Sequence, residues 1–247
     1  MPKAQTIEHA PIFACGDISL FLDFDGTLVD LADRPDTLCV PADVGIRLSQ
    51  LSVRLDGRIA LVSGRSIAQL EALVGPAASE IALVGSHGAE VRVAGGAVAP
   101  ANRPPALTAA QHLFEQAFAD DSDVLIEVKT LGVAVHYRRA PAVESFANEL
   151  AARFGSANGL EVQKGKMMVE LRVGGQDKGS GIAALMEVAP FAGRRPVFVG
   201  DDLTDEAGFE RCAALGGAGI LVGPPRRTAA QYRLEDVAGV HAWLDAL

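Results

Sequence analysis

Ile18-Ser19-Leu20-Phe21-Leu22-Asp23-Phe24-Asp25-Gly26-Thr27 is the stretch that decides the fold. The first five residues form a short, mostly apolar run, the pattern of a buried strand. It ends in two carboxylates spaced two residues apart, with a glycine turn directly after them. An Asp-x-Asp pair is therefore presented at the carboxyl end of a strand. In open α/β sheets that edge is where ligands bind. Two adjacent acids repel each other and gain nothing structurally there unless a cation or phosphate chemistry uses them.

Working outward, the same strand-then-helix rhythm repeats. Asp33-Arg34-Pro35-Asp36 reads as a turn, and Val44, Leu48, Leu51 and Leu55 are spaced for the buried face of a helix starting near Pro41-Ala42-Asp43. Arg58–Val62 reads as a strand ending in Ser63-Gly64-Arg65-Ser66, followed by a helix over Ile67–Val74. Ile81–Val84 reads as a strand ending in Gly85-Ser86-His87-Gly88-Ala89-Glu90. The rhythm resumes near the C-terminus, with a helix over Lys178–Val188, a strand over Pro196–Val199 and then Gly200-Asp201-Asp202-Leu203-Thr204-Asp205-Glu206. A helix over Ala207–Leu215, a strand over Gly219–Val222 and a terminal helix over Glu235–Leu247 follow. This alternation predicts a parallel sheet with crossover helices, a Rossmann-like α/β core.

Between these halves the pattern changes. Gly95–Pro105 reads as a linker and Leu107–Phe118 as a helix. Two alternating runs, with Val124, Ile126 and Val128 and then Val133, Val135 and Tyr137 as their apolar sets, predict a hairpin turning at Thr130-Leu131-Gly132. A helix over Ala142–Phe154 and a second hairpin over Leu160–Val173, turning at Lys164-Gly165, complete the segment. The expectation is an antiparallel sheet backed by two helices, inserted into the core: 98–173 as the insert, 1–97 and 174–247 as the core. Strand parity places Glu127, Lys129, His136 and Arg138 on one face, and Lys166, Glu170 and Arg172 on one face. Periodicity alone fits a solvated, salt-bridged face as well as a sugar-binding one.

The 247-residue chain carries a net charge of −9, which argues against broad nucleic-acid binding. No apolar run reaches the ~20 residues of a membrane helix, and Met1–Gly16 lacks the pattern of a signal peptide. Cys15, Cys39 and Cys212 are scattered, without metal-ligand spacing, which fits reduced thiols. A cytoplasmic monomer acting on a small molecule, with no membrane or nucleic-acid partner, is the expectation.

Asp23/Asp25, Ser63, Lys178 and Asp201/Asp202/Asp205 all fall at strand ends or helix starts of the parallel half. Each acid alone could be a turn or cap residue, Ser63 a helix cap and Lys178 a solvated helix lysine. In this order and combination they resemble the haloacid dehalogenase (HAD) superfamily of phosphotransferases. The resemblance implies that Asp23 attacks phosphorus to form an aspartyl-phosphate, while Asp25 protonates the leaving oxygen and then deprotonates water. It implies Mg²⁺ held by Asp23, the backbone carbonyl of Asp25 and Asp201, with Asp205 as a direct or water-mediated ligand. Ser63 would bond a phosphate oxygen, and Lys178 would neutralise charge and hold the nucleophile. Asp202 either orients Lys178 or caps the next helix.

The blocks Glu127-x-Lys129, His136-Tyr137-Arg138, Lys166-x-x-x-Glu170-Leu171-Arg172, Lys178-Gly179, Gly85–Glu90 and Gly200–Glu206 resemble the trehalose-6-phosphate phosphatases, from about Leu20 to the end of the chain. That resemblance makes the insert a C2-type cap that closes over the core. It implies that Glu127, Lys129, Arg138, Lys166 and Glu170 grip the sugar and that Arg65, His87 and Gly88 line the sugar entrance. It also implies the stand-alone form, without a fused glucosyltransferase domain. Val173, where members often have Pro, and Asp177, where they often have Asn, depart from the pattern without removing a catalytic group. The alternatives are a phosphatase for another sugar phosphate, such as sucrose or mannosylglycerate phosphate, and a non-catalytic sugar-phosphate-binding domain.

Overall fold

The computed structural model describes residues 7–31, 40–97 and 103–247. The turn expected at Asp33–Asp36, Cys39 and the middle of the Gly95–Pro105 linker lie outside them. The described residues divide into two units, 7–31, 40–97 and 177–247 in one and 103–176 in the other.

The first unit is built on an eight-stranded sheet. In chain order its strands are β1 (Glu8–His9), β2 (Ile18–Leu22), β3 (Ile59–Val62), β4 (Ala82–Gly85), β5 (Glu90–Arg92), β10 (Arg195–Gly200), β11 (Ala218–Val222) and β12 (Tyr232–Leu234). Their spatial order is β1-β12-β11-β10-β2-β3-β4-β5, and every pair is parallel except β4–β5. β2, β3, β4 and β11 are buried along their whole length. Burial on both faces explains why they read as continuous apolar runs rather than alternating ones. Helices α1 (Ala42–Arg54), α2 (Ile67–Val74), α5 (Lys178–Met186), α6 (Glu206–Ala214) and α7 (Val237–Ala246) connect or follow the strands. Phe21, Val62, Val84, Ile182, Phe198 and Phe209 form one core cluster, in which the Phe198 and Phe209 rings lie 5.4 Å apart.

From β2 the chain steps outward one way through β3 and β4, and from β10 the other way through β11 and β12. The strand order therefore reverses between β2 and β10, whose carboxyl ends carry Asp23 and Asp201. A crevice at such a reversal is the standard ligand site of open parallel sheets. The adjacent strands β3 and β4 end in Ser63 and in Ser86-His87-Gly88, so four sequence blocks emerge side by side along one sheet edge.

The second unit is a four-stranded antiparallel sheet in the order β6-β7-β9-β8, made of β6 (Leu125–Val128), β7 (Gly132–His136), β8 (Glu161–Gly165) and β9 (Met168–Arg172). Helices α3 (Pro105–Ala117) and α4 (Glu144–Asn158) share a core with it. Leu107, Ala110 and Phe114 of α3 and Ala147 and Ala151 of α4 cluster with Val133, Val135, Tyr137, Val169 and Leu171.

Three short strands carry no sequence signal: β1, β5 and β12 have two or three residues, below the length at which periodicity can be read. The second hairpin also differs from expectation. Gly165 pairs with Met168, so the turn is Lys166-Met167, not Lys164-Gly165. Met167, with φ 57°, takes the left-handed position that the nearby glycine suggested for itself. Lys166 accordingly sits in the turn and not on the strand face with Glu170. Val128, assigned by alternation to the apolar face, is 46% exposed at the end of the edge strand β6. Among the described residues no helix is long and apolar enough to cross a membrane.

Candidate active site

Asp23 follows the last residue of β2, and its backbone N–H donates to the Val199 carbonyl at 2.9 Å, carrying the β2–β10 pairing one step further. The carboxylate is buried. Its Oδ1 accepts from Lys178 Nζ at 2.8 Å, and Oδ2 accepts a long 3.4 Å bond from the Thr27 hydroxyl. The same ammonium donates to Asp205 Oδ1 at 2.6 Å. Lys178 is the first residue of α5, which is started by a reciprocal capping pair between Asp177 and Ser180. The acid at position 177 thus has a local structural task, holding the helix end that aims Lys178.

Asp202 settles into the second of its two expected roles. Its Oδ1 accepts from the Leu203 N–H at 2.6 Å, and its own N–H donates to Asp205 Oδ2 at 2.8 Å. It caps the turn leading into α6, while Lys178 is held by Asp23 and Asp205. Arg226 ties the same loop down: it donates to the Asp202 carbonyl at 2.8 Å and pairs with Glu206. No motif in the sequence points to Arg226.

Carboxylate oxygens of Asp23, Asp201 and Asp205 lie within 4.8 Å of one another. The Lys178 ammonium bonds two of these three acids, Asp23 and Asp205. Burial is the main influence on Asp23; Lys178 opposes it, and Asp205 and Asp201 add to it, so the carboxyl is held well above its ordinary range. The two carboxylates outweigh desolvation at Lys178 and hold it charged. An all-oxygen donor set of clustered carboxylates suits a hard divalent cation. The fit is tight on one side: Gly26 takes φ 83°, and a Cβ there would lie 2.4 Å from Asp201 Oδ2.

Asp25 is outside this acid cluster. Both of its oxygens accept from Arg65, Oδ2 from Nε and Oδ1 from Nη2, each at 2.7 Å. Alternation and spacing give no sign of this pairing across 40 positions. Ser63 is buried, and its Oγ accepts from the Arg65 N–H at 3.1 Å, which leaves the hydroxyl hydrogen for another acceptor. Next to them the Ser86-His87-Gly88 turn has three consecutive positive φ values of 49°, 54° and 98°. A Cβ on Gly88 would lie 2.0 Å from the Asp177 carbonyl, so this position excludes any side chain. The buried carboxylate of Glu90 fixes the turn, accepting from Ser86 Oγ at 3.0 Å and from the Ile67 N–H at 2.9 Å. Glu90 closes the Gly85–Glu90 block, yet nothing in the sequence pattern assigns it this role.

In the second unit Lys129 Nζ donates to Glu170 Oε2 at 2.6 Å, and both side chains are buried. His136 Nε2 lies 2.7 Å from Glu127 Oε2. Strand parity correctly groups these residues, since Glu127 pairs with Ala134 and Ala134 with Glu170 across the sheet. The plainly solvated face allowed by periodicity is absent at Lys129 and Glu170. Arg172 pairs with Glu161 of the neighbouring strand at 3.1 Å, Arg138 is half-buried and Lys166 is exposed.

The fold, a parallel sheet interrupted by an antiparallel unit, is shared with a solved HAD subclass IIB sugar phosphatase, with a TM-score of 0.59 at 16% identity. The chain belongs to the trehalose-phosphatase family, whose model matches residues 21–238. It is 39% identical over 231 residues to the trehalose-6-phosphate phosphatase of Escherichia coli K12, covering 92% of this chain and 85% of that protein. It is 42% identical over 209 residues to a probable trehalose-phosphate phosphatase of Sinorhizobium fredii, covering 84% and 78%. A crystal structure of a trehalose-6-phosphate phosphatase related protein superposes with a TM-score of 0.73 at 29% identity, covering 93% of this chain and 96% of that one.

Proposed function

We propose that this chain is a Mg²⁺-dependent phosphatase that hydrolyses trehalose 6-phosphate to trehalose and phosphate. The observation that carries the reading is Asp23: a buried carboxylate at the sheet reversal, with one oxygen held by Lys178 and the other lightly engaged. Asp23 Oδ2 attacks phosphorus, the bond from phosphorus to the sugar oxygen breaks, and Asp25 gives that oxygen its proton. Water then attacks the aspartyl-phosphate, Asp25 takes the water's proton, and the bond from phosphorus to Asp23 breaks to release phosphate. Lys178 spends two of its three N–H donors on Asp23 and Asp205, and the third serves a phosphate oxygen. Ser63 offers its hydroxyl hydrogen to another. Asp23, Asp201 and the backbone carbonyl of Asp25 would hold the cation, with Asp205 contributing directly or through water. When bound, Mg²⁺ neutralises charge so that an anionic nucleophile can meet a phosphate dianion.

Core 1–97 and 174–247 performs the chemistry, and cap 98–173 supplies specificity. Glu127, Lys129, Arg138, Lys166 and Glu170 recognise the sugar, and His87 and Gly88 line its entrance. The Lys129–Glu170 ion pair and the His136–Glu127 hydrogen bond support this, because polar groups fixed before the ligand arrives lose less entropy on binding. The names carried by the relatives support the substrate. The enzyme acts as a cytoplasmic monomer. Phosphate release from trehalose 6-phosphate, sucrose 6-phosphate, glucose 6-phosphate and p-nitrophenyl phosphate tests the reading. A clear preference for the first is expected, and equal rates on all four would reduce the protein to a general sugar phosphatase.

A further inference from the structure

From the Arg65–Asp25 pair we infer that Arg65 is a positioning residue for the acid–base step and not primarily a sugar ligand. The inference rests on the phosphatase reading given above. A carboxylate on a turn just after a strand can rotate about two side-chain bonds, yet proton transfer needs it within about 3 Å of the leaving oxygen. Arg65 removes that freedom. Its Nε and Nη2 make two parallel bonds of 2.7 Å to the two Asp25 oxygens. This fork-to-fork geometry fixes both the plane and the direction of the carboxylate, as a lysine cannot.

The arginine is itself held. Its side chain is 11% exposed. Its backbone N–H donates to Ser63 Oγ at 3.1 Å, and its carbonyl accepts from the Ser86 N–H at 2.8 Å. Ser66, the next residue, caps α2 in a reciprocal capping box with Gln69. Arg65 thus spans the ends of β3 and β4 and fixes Asp25 at the end of β2 from a rigid frame. Each Asp25 oxygen keeps a second lone-pair direction free to face the reacting groups.

The two roles for Arg65 separate in kinetics. Removing a sugar ligand that serves ground and transition states alike raises KM and spares kcat, whereas removing a positioning group lowers kcat. Protonation of the leaving group matters for an alkoxide and little for p-nitrophenolate. The test compares wild type, Arg65→Met, Arg65→Lys, Asp25→Asn and the double variant Arg65→Met/Asp25→Asn on trehalose 6-phosphate. The first-turnover burst of p-nitrophenol is measured alongside. Arg65→Met is expected to lower kcat on the sugar phosphate by roughly 10- to 100-fold, part of the ~10²–10⁴ available from acid–base catalysis. KM should change less than about threefold and the p-nitrophenol burst should persist. Arg65→Lys should recover only part of the loss, and in the Asp25→Asn background removal of Arg65 should cost little more. A rise in KM at constant kcat, or full additivity with Asp25→Asn, overturns the inference. So does loss of the p-nitrophenol burst in Arg65→Met, which would place Arg65 in the attack step itself. If wild type itself fails to turn over trehalose 6-phosphate, the phosphatase reading fails instead.

Discussion

Replacing Lys178 with Met tests the electrostatic heart of the site. The side chain is 4% exposed and its two partners, Asp23 and Asp205, are 5% and 0% exposed, so solvent screens little of the interaction. The substitution keeps the bulk and removes the ammonium that bonds Asp23 and Asp205. Deleting one partner of a buried pair costs about 3–5 kcal/mol, because the remaining charges are left uncompensated. For a chain of this size each kcal/mol moves Tm by ~2–4 °C, which gives an expected drop of ~6–20 °C for the unit holding the parallel sheet. The loss must depend on pH in a defined sense. Asp23 already sits above its ordinary range because of burial, and removing Lys178 takes away the influence that opposes this. A carboxyl whose folded-state pKa is raised favours folding most when protonated, so the penalty should be smallest near the unfolded value of about 4 and grow as pH rises. The assay is thermal unfolding of wild type and Lys178→Met at pH 5 and pH 8 without divalent cation, followed by calorimetry. A Tm within about 2 °C of wild type at pH 8, or a loss as large at pH 5 as at pH 8, would refute the argument.

The raised Asp23 also predicts how the unaltered protein responds to cation. Without Mg²⁺, stability should fall as pH rises from about 4 through the raised value, and added Mg²⁺ should raise Tm more at pH 8 than at pH 5; equal shifts at both would contradict it. Gly26→Ala introduces a Cβ that would lie 2.4 Å from Asp201 Oδ2 at φ 83°. It should cost about 1–2 kcal/mol from the left-handed backbone alone and weaken Mg²⁺ binding by roughly 10- to 100-fold, as displaced support of a ligand does; isothermal titration measures both the site and its loss. Glu170→Ala removes the buried carboxylate that Lys129 bonds at 2.6 Å, so the antiparallel unit should lose about 3–5 kcal/mol, visible as earlier hydrogen exchange in β7 and β9. Glu170→Ala/Lys129→Met should recover most of it, and a double variant no better than the single one would mean that the pair is not what holds the face.

The core of the site was legible because each part announces itself locally. An apolar run ending in Asp23-x-Asp25-Gly26 states a strand, its end and a tight turn within ten residues. Strand ends of one parallel sheet share an edge, which places Asp23 beside Asp201, while the grouping with Asp205 came from the family resemblance. What escaped is what depends on distant side-chain geometry. The Arg65–Asp25 fork and the Arg226 clamp on the Asp202 carbonyl join loops that share no spacing pattern. The hairpin turn slipped by two residues because glycine is the usual left-handed residue, whereas here Met167 occupies that position while still packing against the core of its unit. The buried state of Lys129 and Glu170 escaped for a related reason. Alternation says which side of a sheet a charge is on, and only tertiary packing says whether that side is wet.

The central claim is that Asp23 carries the phosphoryl group of trehalose 6-phosphate. Rapid quenching of a single turnover in Mg²⁺, followed by borohydride reduction and peptide mass spectrometry, reads this directly, because reduction of an acyl phosphate converts the aspartate side chain to an alcohol. The account predicts substrate-dependent modification at position 23 with release of one trehalose per enzyme, and none in Asp23→Asn, which also loses turnover. Full turnover with no modification at position 23, or modification at another residue, would contradict it.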